Sequence, residues 1–146
     1  MHEALPLQDV VRTGPGQDGP PQFVGSEIYR HSSYGAKHPL AIPRVSTCID
    51  LCRALGWLPD AVYHDSPRAT PQQLVRFHDP AYVAAVQAAE SAQAAAPDVR
   101  ERYQLGAKGN PIFPEVFRRP ATAAGGTLLA ARLLLRQGRG LVYNPA

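Results

Sequence analysis

The pattern of this chain predicts a layered α/β fold with a mostly parallel sheet, on three observations. Short apolar or aromatic runs suited to strands alternate with longer segments of helical periodicity. Fifteen prolines and twelve glycines in 146 residues punctuate the chain heavily, which implies many short elements joined by loops. The run Leu141-Val142-Tyr143 reads as a buried strand following a long helix that Gly138 stops.

The elements follow in order. Residues 1–21 contain Gly14-Pro15-Gly16 and Gly19-Pro20-Pro21 without sustained periodicity, and are expected to be a flexible leader ahead of a single domain over 22–146. Phe23 to Tyr29 is strand-like and leads into a polar loop, Arg30 to Pro39. Pro43 suits the first position of a helix, because the N–H it lacks has no partner there. Val45, Cys48, Ile49, Cys52 and Leu55 follow at helical spacing, and Gly56 is a natural stop. Ala61 to His64 reads as a second strand.

Thr70 and Gln73 have capping-box spacing, with Leu74 and Phe77 as the apolar face of a short helix. Asp79-Pro80 opens another helix, which runs through Tyr82, Val83 and Val86 into an Ala-rich tail ended by Pro97. Leu105 to Pro114 is a Gly/Pro/Asn loop, and Ala121 to Leu135 is strongly helical. Gly125-Gly126 costs that helix about 1 kcal/mol per glycine relative to alanine, so close approach of another backbone is expected there.

Composition narrows the function classes. The chain is 45% hydrophobic, ordinary for a globular domain. Its formal net charge is +3, but the cations are scattered and only Arg118-Arg119 is dense, so no nucleic-acid face is expected. No apolar run approaches the roughly 18 residues that span a membrane, and no signal segment opens the chain. The two cysteines, Cys48 and Cys52, lie on one face of a helix and read as a reduced, buried pair, consistent with a cytoplasmic protein. Phosphate-cradling loops of the GxxxxGK[ST] or GxGxxG type are absent, and Ser32-Ser33 lacks a nucleophile elbow.

Four ordered blocks carry a resemblance. The first is Tyr34-Gly35-x-x-His38-Pro39 with Pro43-Arg44. The second is Ala69-Thr70-x-x-x-Leu74-x-x-Phe77-His78-x-x-x-Tyr82-Val83. The third runs from Leu105-Gly106 through Asn110-Pro111-Ile112-Phe113-Pro114 to Ala124-Gly125-Gly126-Thr127, and the fourth is Asn144-Pro145-Ala146. Together they resemble the first part of the histone deacetylase family, which includes acetoin-utilisation proteins and acetylpolyamine amidohydrolases. The resemblance implies the N-terminal portion of an arginase/deacetylase-like three-layer fold, incomplete in this chain. Pro120 departs from the family pattern, since it falls where the long helix would already be under way; that helix is expected to start late or kink.

What the resemblance implies chemically is zinc-assisted hydrolysis of an acetyl amide, of acetyl-lysine or a small acetylated amine. In the family two Asp and a His hold the metal, a His pair moves protons and a Tyr stabilises the oxyanion. All of these would lie beyond Ala146, so this chain is expected to ligate no zinc and to be inactive without the missing C-terminal half of its domain. Asp98 stands near where the family places a rim carboxylate for substrate amides, or it caps Val99-Arg100-Glu101. Arg44 follows Pro43 as the family's internal-cavity arginine does, where it would hold departing acetate, or it is a surface residue at a helix start. Tyr34 and His38 either border the active-site mouth, as substrate-binding residues, or are structural.

The competing class is a non-enzymatic remnant or interaction module with the same α/β start. Supplying the missing half in trans separates the two, because only the enzyme reading predicts restored hydrolysis. The last strand is expected to be central in a parallel sheet, leaving the chain alone with an unpaired edge and exposed apolar surface.

Overall fold

The structure, a computed structural model, describes residues 19–31, 42–107, 109–138 and 140–146. Strand β1, Gln22–Gly25, lies between β2, Tyr63–Asp65, and β3, Val142–Tyr143, and pairs with both in parallel. Phe23 stands opposite Tyr63 on one side and Tyr143 on the other. Val24 is fully buried at the centre, worth about 1.5–3 kcal/mol of apolar burial. Among the described residues β1 is the central strand and β3 an edge.

The first strand ends earlier than the pattern Phe23 to Tyr29 predicts. Ser26 accepts from the Ile28 and Tyr29 amides through its hydroxyl and carbonyl, both at 3.3 Å, and turns the chain into a single helical turn, α1, Ile28–His31. The second strand is displaced in the same way. A 3-10 turn at Asp60–Val62, closed by the Val62 amide on the Pro59 carbonyl at 3.1 Å, occupies the first half of the predicted run.

Helix α2, Arg44–Ala54, has Pro43 as its cap rather than its first residue. Its end is as expected. Gly56, at φ +71°, donates to the Arg53 carbonyl, and Trp57 donates to that of Cys52, the paired bonds of a Schellman ending. Its buried face is not the predicted one. Ser46 and Ile49 are buried, whereas Leu51, Leu55 and Cys48 are exposed and Cys52 is half-buried. The reason is that α2 packs on α1, tied there by Arg30, whose guanidinium donates twice to Asp50 at 2.7 and 2.8 Å. One narrow face is thereby covered, and the cysteines lie off it.

Helix α3, Pro71–Leu74, carries the predicted capping box, with Thr70 and Gln73 satisfying one another's backbone amides. Helix α4, Pro80–Ala92, is capped by Asp79, whose carboxylate accepts from the Ala81 amide at 2.7 Å. It stops at Gln93, in the left-handed region at φ 50°, before Pro97 can act. Pro97 instead opens α5, Pro97–Tyr103, so Asp98 sits inside a helical first turn, with Ala96 as the cap residue.

Helix α6, Arg118–Gln137, starts before Pro120 rather than after it. Pro120 falls in the first turn, where a missing N–H costs no intrahelical bond. The helix start is held from a distance by Glu90 of α4. Its carboxylate accepts from the Phe117 and Arg118 amides, both at 2.9 Å, and from the Arg118 guanidinium at 2.8 Å. The loop before α6 is not merely a connection, since Leu105, Phe113 and Val116 are buried with Val86 and Ala89 of α4 as the main apolar cluster.

The expected close approach at the glycine pair is present. A Cβ on Gly125 would lie 1.8 Å from the Pro67 carbonyl oxygen and 2.7 Å from the Ala69 nitrogen. The Ala69 amide donates to the Ala121 carbonyl at 2.9 Å and the Ser66 hydroxyl to that of Thr122 at 2.6 Å, so the segment after β2 is bonded along the helix. On the Gly126 side, Asn144 donates to the Ala123 carbonyl at 3.2 Å and to Thr127 Oγ1 at 3.1 Å. Two short segments, one after β2 and one after β3, therefore clasp the same stretch of α6. No helix among the described residues is long and apolar enough to cross a membrane.

Candidate functional site

A cavity of about 560 Å³ opens between α4, the loop before α6, the first turns of α6 and the residues that follow β3. Small-molecule sites are commonly of this size. Its walls are mainly apolar, with Val83 and Val86 from α4, Phe113 and Val116 from the loop, and Ala123 and Ala124 from α6. The glycine clasp sets this shape: it fixes the first half of α6 against the sheet, and the Glu90 cap fixes the height at which α6 meets α4.

Five polar side chains interrupt the apolar lining: Tyr29, His78, Tyr82, Asn110 and Arg119. The Arg119 guanidinium lies 5.3 Å from the centroid of the buried Tyr29 ring, a cation–π contact that orients it. His78 is 6.1 Å from the Tyr82 ring, which in turn is 5.3 Å from Tyr103. The Asn110 side chain donates to the Gln104 carbonyl at 3.0 Å, so its amide is anchored to the end of α5. Pro145 and Ala146 close the cavity on the sheet side. A fixed cation, phenols and an imidazole in an apolar cavity suit a small ligand carrying a carbonyl or carboxylate group.

The residues singled out from sequence divide. Tyr34 and His38 lie outside the described residues. Arg44 is the first residue of α2 and is exposed; its neighbour Val45 lines the cavity. Asp98 is exposed on α5 and is not one of the lining residues. Neither Arg44 nor Asp98 is one of the lining residues.

Sequence reasoning did not single out Arg119, Tyr29 or His78 as cavity residues. Two signals were available. His78 and Tyr82 are four residues apart across the cap of α4, which brings both to one side of its start. The pair Arg118-Arg119 opens a helix, where successive side chains point about 100° apart. One guanidinium serves Glu90 and the other Tyr29.

Among the described residues no three of His, Cys, Asp and Glu stand close enough to hold an ion, so this part of the chain does not fit a catalytic zinc by itself.

The histone deacetylase domain matches residues 38–145, nearly three quarters of the chain. The chain belongs to the histone deacetylase family. Two solved structures of this family superpose on it. A crystal structure of an HDAC homolog complexed with SAHA has a TM-score of 0.80 and 29% identity, over 85% of this chain and 33% of that one. A crystal structure of an HDAC homolog from Aquifex aeolicus has a TM-score of 0.80 and 29% identity, over 86% of this chain and 33% of that one. No curated protein matches. The chain therefore spans about a third of the length of these relatives, and its small parallel sheet with flanking helices is an incomplete portion of the deacetylase α/β fold.

Proposed function

We propose that this chain supplies the N-terminal third of a zinc-dependent, cytoplasmic deacetylase that hydrolyses acetyl-lysine or a small acetylated amine. The observation that carries the reading is the place of the cavity. It is bordered by Pro145 and Ala146, the residues that family resemblance sets just before the glycine turn and the catalytic His pair. The cavity walls in this chain would then back onto the site where the remaining part of the domain brings its catalytic groups.

On this reading the residues that would hold zinc and the proton-moving histidines belong to the rest of the domain, where the metal would supply Lewis-acid chemistry. The residues of this chain act by shape and orientation. The α4 and α6 walls exclude water, and Arg119 provides a fixed positive charge for a carbonyl or carboxylate oxygen. Arg44 is assigned to holding released acetate, as the family resemblance implies, with Tyr34 and His38 at the mouth. Asp98, outside the lining, is assigned to the substrate's backbone amides.

Acetate release from an acetyl-lysine peptide and from an acetylated polyamine tests this. This chain should be inactive alone, and the complete domain, or the two parts combined, should release acetate, lose activity to a chelator and regain it with zinc. A zinc-loaded complete protein that releases no acetate from either substrate class contradicts the proposal and leaves an interaction module.

A further inference from the structure

Away from the cavity, Cys48 and Cys52 stand one turn apart on α2. Cys48 is exposed and Cys52 is half-buried. Partial burial, followed by the neighbouring Cys48, pushes the Cys52 thiol up.

The spacing decides what such a pair can do. Side chains four apart on a helix have Cβ atoms about 5–6 Å apart, whereas a disulfide needs about 3.5–4.5 Å. Direct S–S closure would therefore distort α2. A single ion placed between the sulfurs adds two bonds to the bridge and closes the gap without moving the helix. Zinc would need about four ligands, and no third His, Cys, Asp or Glu joins the two sulfurs among the described residues. Two soft sulfur donors, with no third ligand among the described residues, favour Cu(I) over harder ions.

We propose that Cys48 and Cys52 form a two-sulfur site for a soft monovalent cation, Cu(I), on the outer face of α2. Each thiol gives its proton to water as its S–Cu bond forms, copper remains Cu(I), and the product carries one negative charge. The buried face of α2, Ser46 and Ile49, is not used, so loading leaves its packing on α1 intact. The site stands independently of the deacetylase reading.

The test is anaerobic titration of the reduced full-length protein against Cu(I)–bicinchoninate, followed by native mass spectrometry. One copper per chain should leave the bicinchoninate, Zn(II) should not be retained, and C48S and C52S should each lose the copper with unchanged far-UV circular dichroism. C52S combined with R53C, which moves the second thiol off the stripe, should not restore it. Copper that stays with bicinchoninate, equal retention by C48S, or one copper shared by two chains would overturn the proposal.

Discussion

At Gly125, helix α6 lies so close to the segment Pro67–Ala69 that no side chain fits between them. Helix α2 meets its neighbours through a buried serine, a buried isoleucine and an arginine–aspartate pair, leaving Leu51, Leu55 and Trp57 exposed. The first region is held by close-packed backbone and a continuous apolar cluster, and the second by a narrow contact and charge. The difference teaches where this part of the domain is self-sufficient. Most walls of the cavity, from α4, the loop before α6 and the first turns of α6, belong to the tightly determined region. The outer face of α2 is determined by little more than helix formation.

The largest effects are expected in the close-packed region. Phe113→Ala should cost about 3–5 kcal/mol, because it opens a void in the cluster shared with Val86 and Leu105. Urea denaturation of the complete protein reads this directly, and a loss below about 1 kcal/mol would mean that the cluster is loosely packed. Gly125→Ala comes next, at about 3 kcal/mol, since its methyl group would meet the Pro67 carbonyl rather than a yielding side chain. A neutral result there would remove the clasp from the account.

Glu90→Ala should cost about 1–2 kcal/mol by leaving the Phe117 and Arg118 amides without their acceptor. Glu90→Gln should recover part of that loss, and equal losses in the two variants would show that charge matters more than hydrogen bonding.

On the α2 side the effect is smaller and depends on pH. The hydrogen bonds from Arg30 hold the Asp50 carboxyl below the usual carboxylate range, and Glu27 is lowered for the same first reason. A carboxylate with a depressed folded-state pKa adds stability above its unfolded value of about 4, and that stability is lost as pH falls through the folded value. Asp50→Asn should therefore lower the melting temperature slightly at neutral pH and remove part of the slope below about pH 4. An unchanged acid slope in the variant would show that the pair contributes nothing to folding.

The legible parts of the fold were those written in local chemistry. Thr70 with Gln73, Asp79 with Pro80, Gly56 as a helix stop and the close approach at Gly125-Gly126 each state a local requirement that one residue type meets. Illegible parts depended on partners distant in sequence. The buried face of α2 was misread because Arg30 and Asp50, twenty residues apart, select which side meets α1. The start of α6 was misread because Glu90 supplies its cap from another helix. At the site the family blocks were readable, yet Arg119 became a cavity residue only once Tyr29 was known to lie beneath it.

The central claim is that the cavity side of this chain serves the reaction while the exposed face of α2 does not. Measuring kcat/KM for acetyl-lysine peptide hydrolysis by the complete protein with Arg119→Gln and, separately, Leu51→Ser tests it most directly, with melting temperatures confirming that both variants are folded. Arg119→Gln should lower kcat/KM by about tenfold, equivalent to about 1.4 kcal/mol of transition-state stabilisation. Leu51→Ser, at an exposed position, should stay within about twofold of the unsubstituted protein. Unchanged hydrolysis with Arg119→Gln, together with a large loss with Leu51→Ser, would contradict the assignment of the cavity as the functional side.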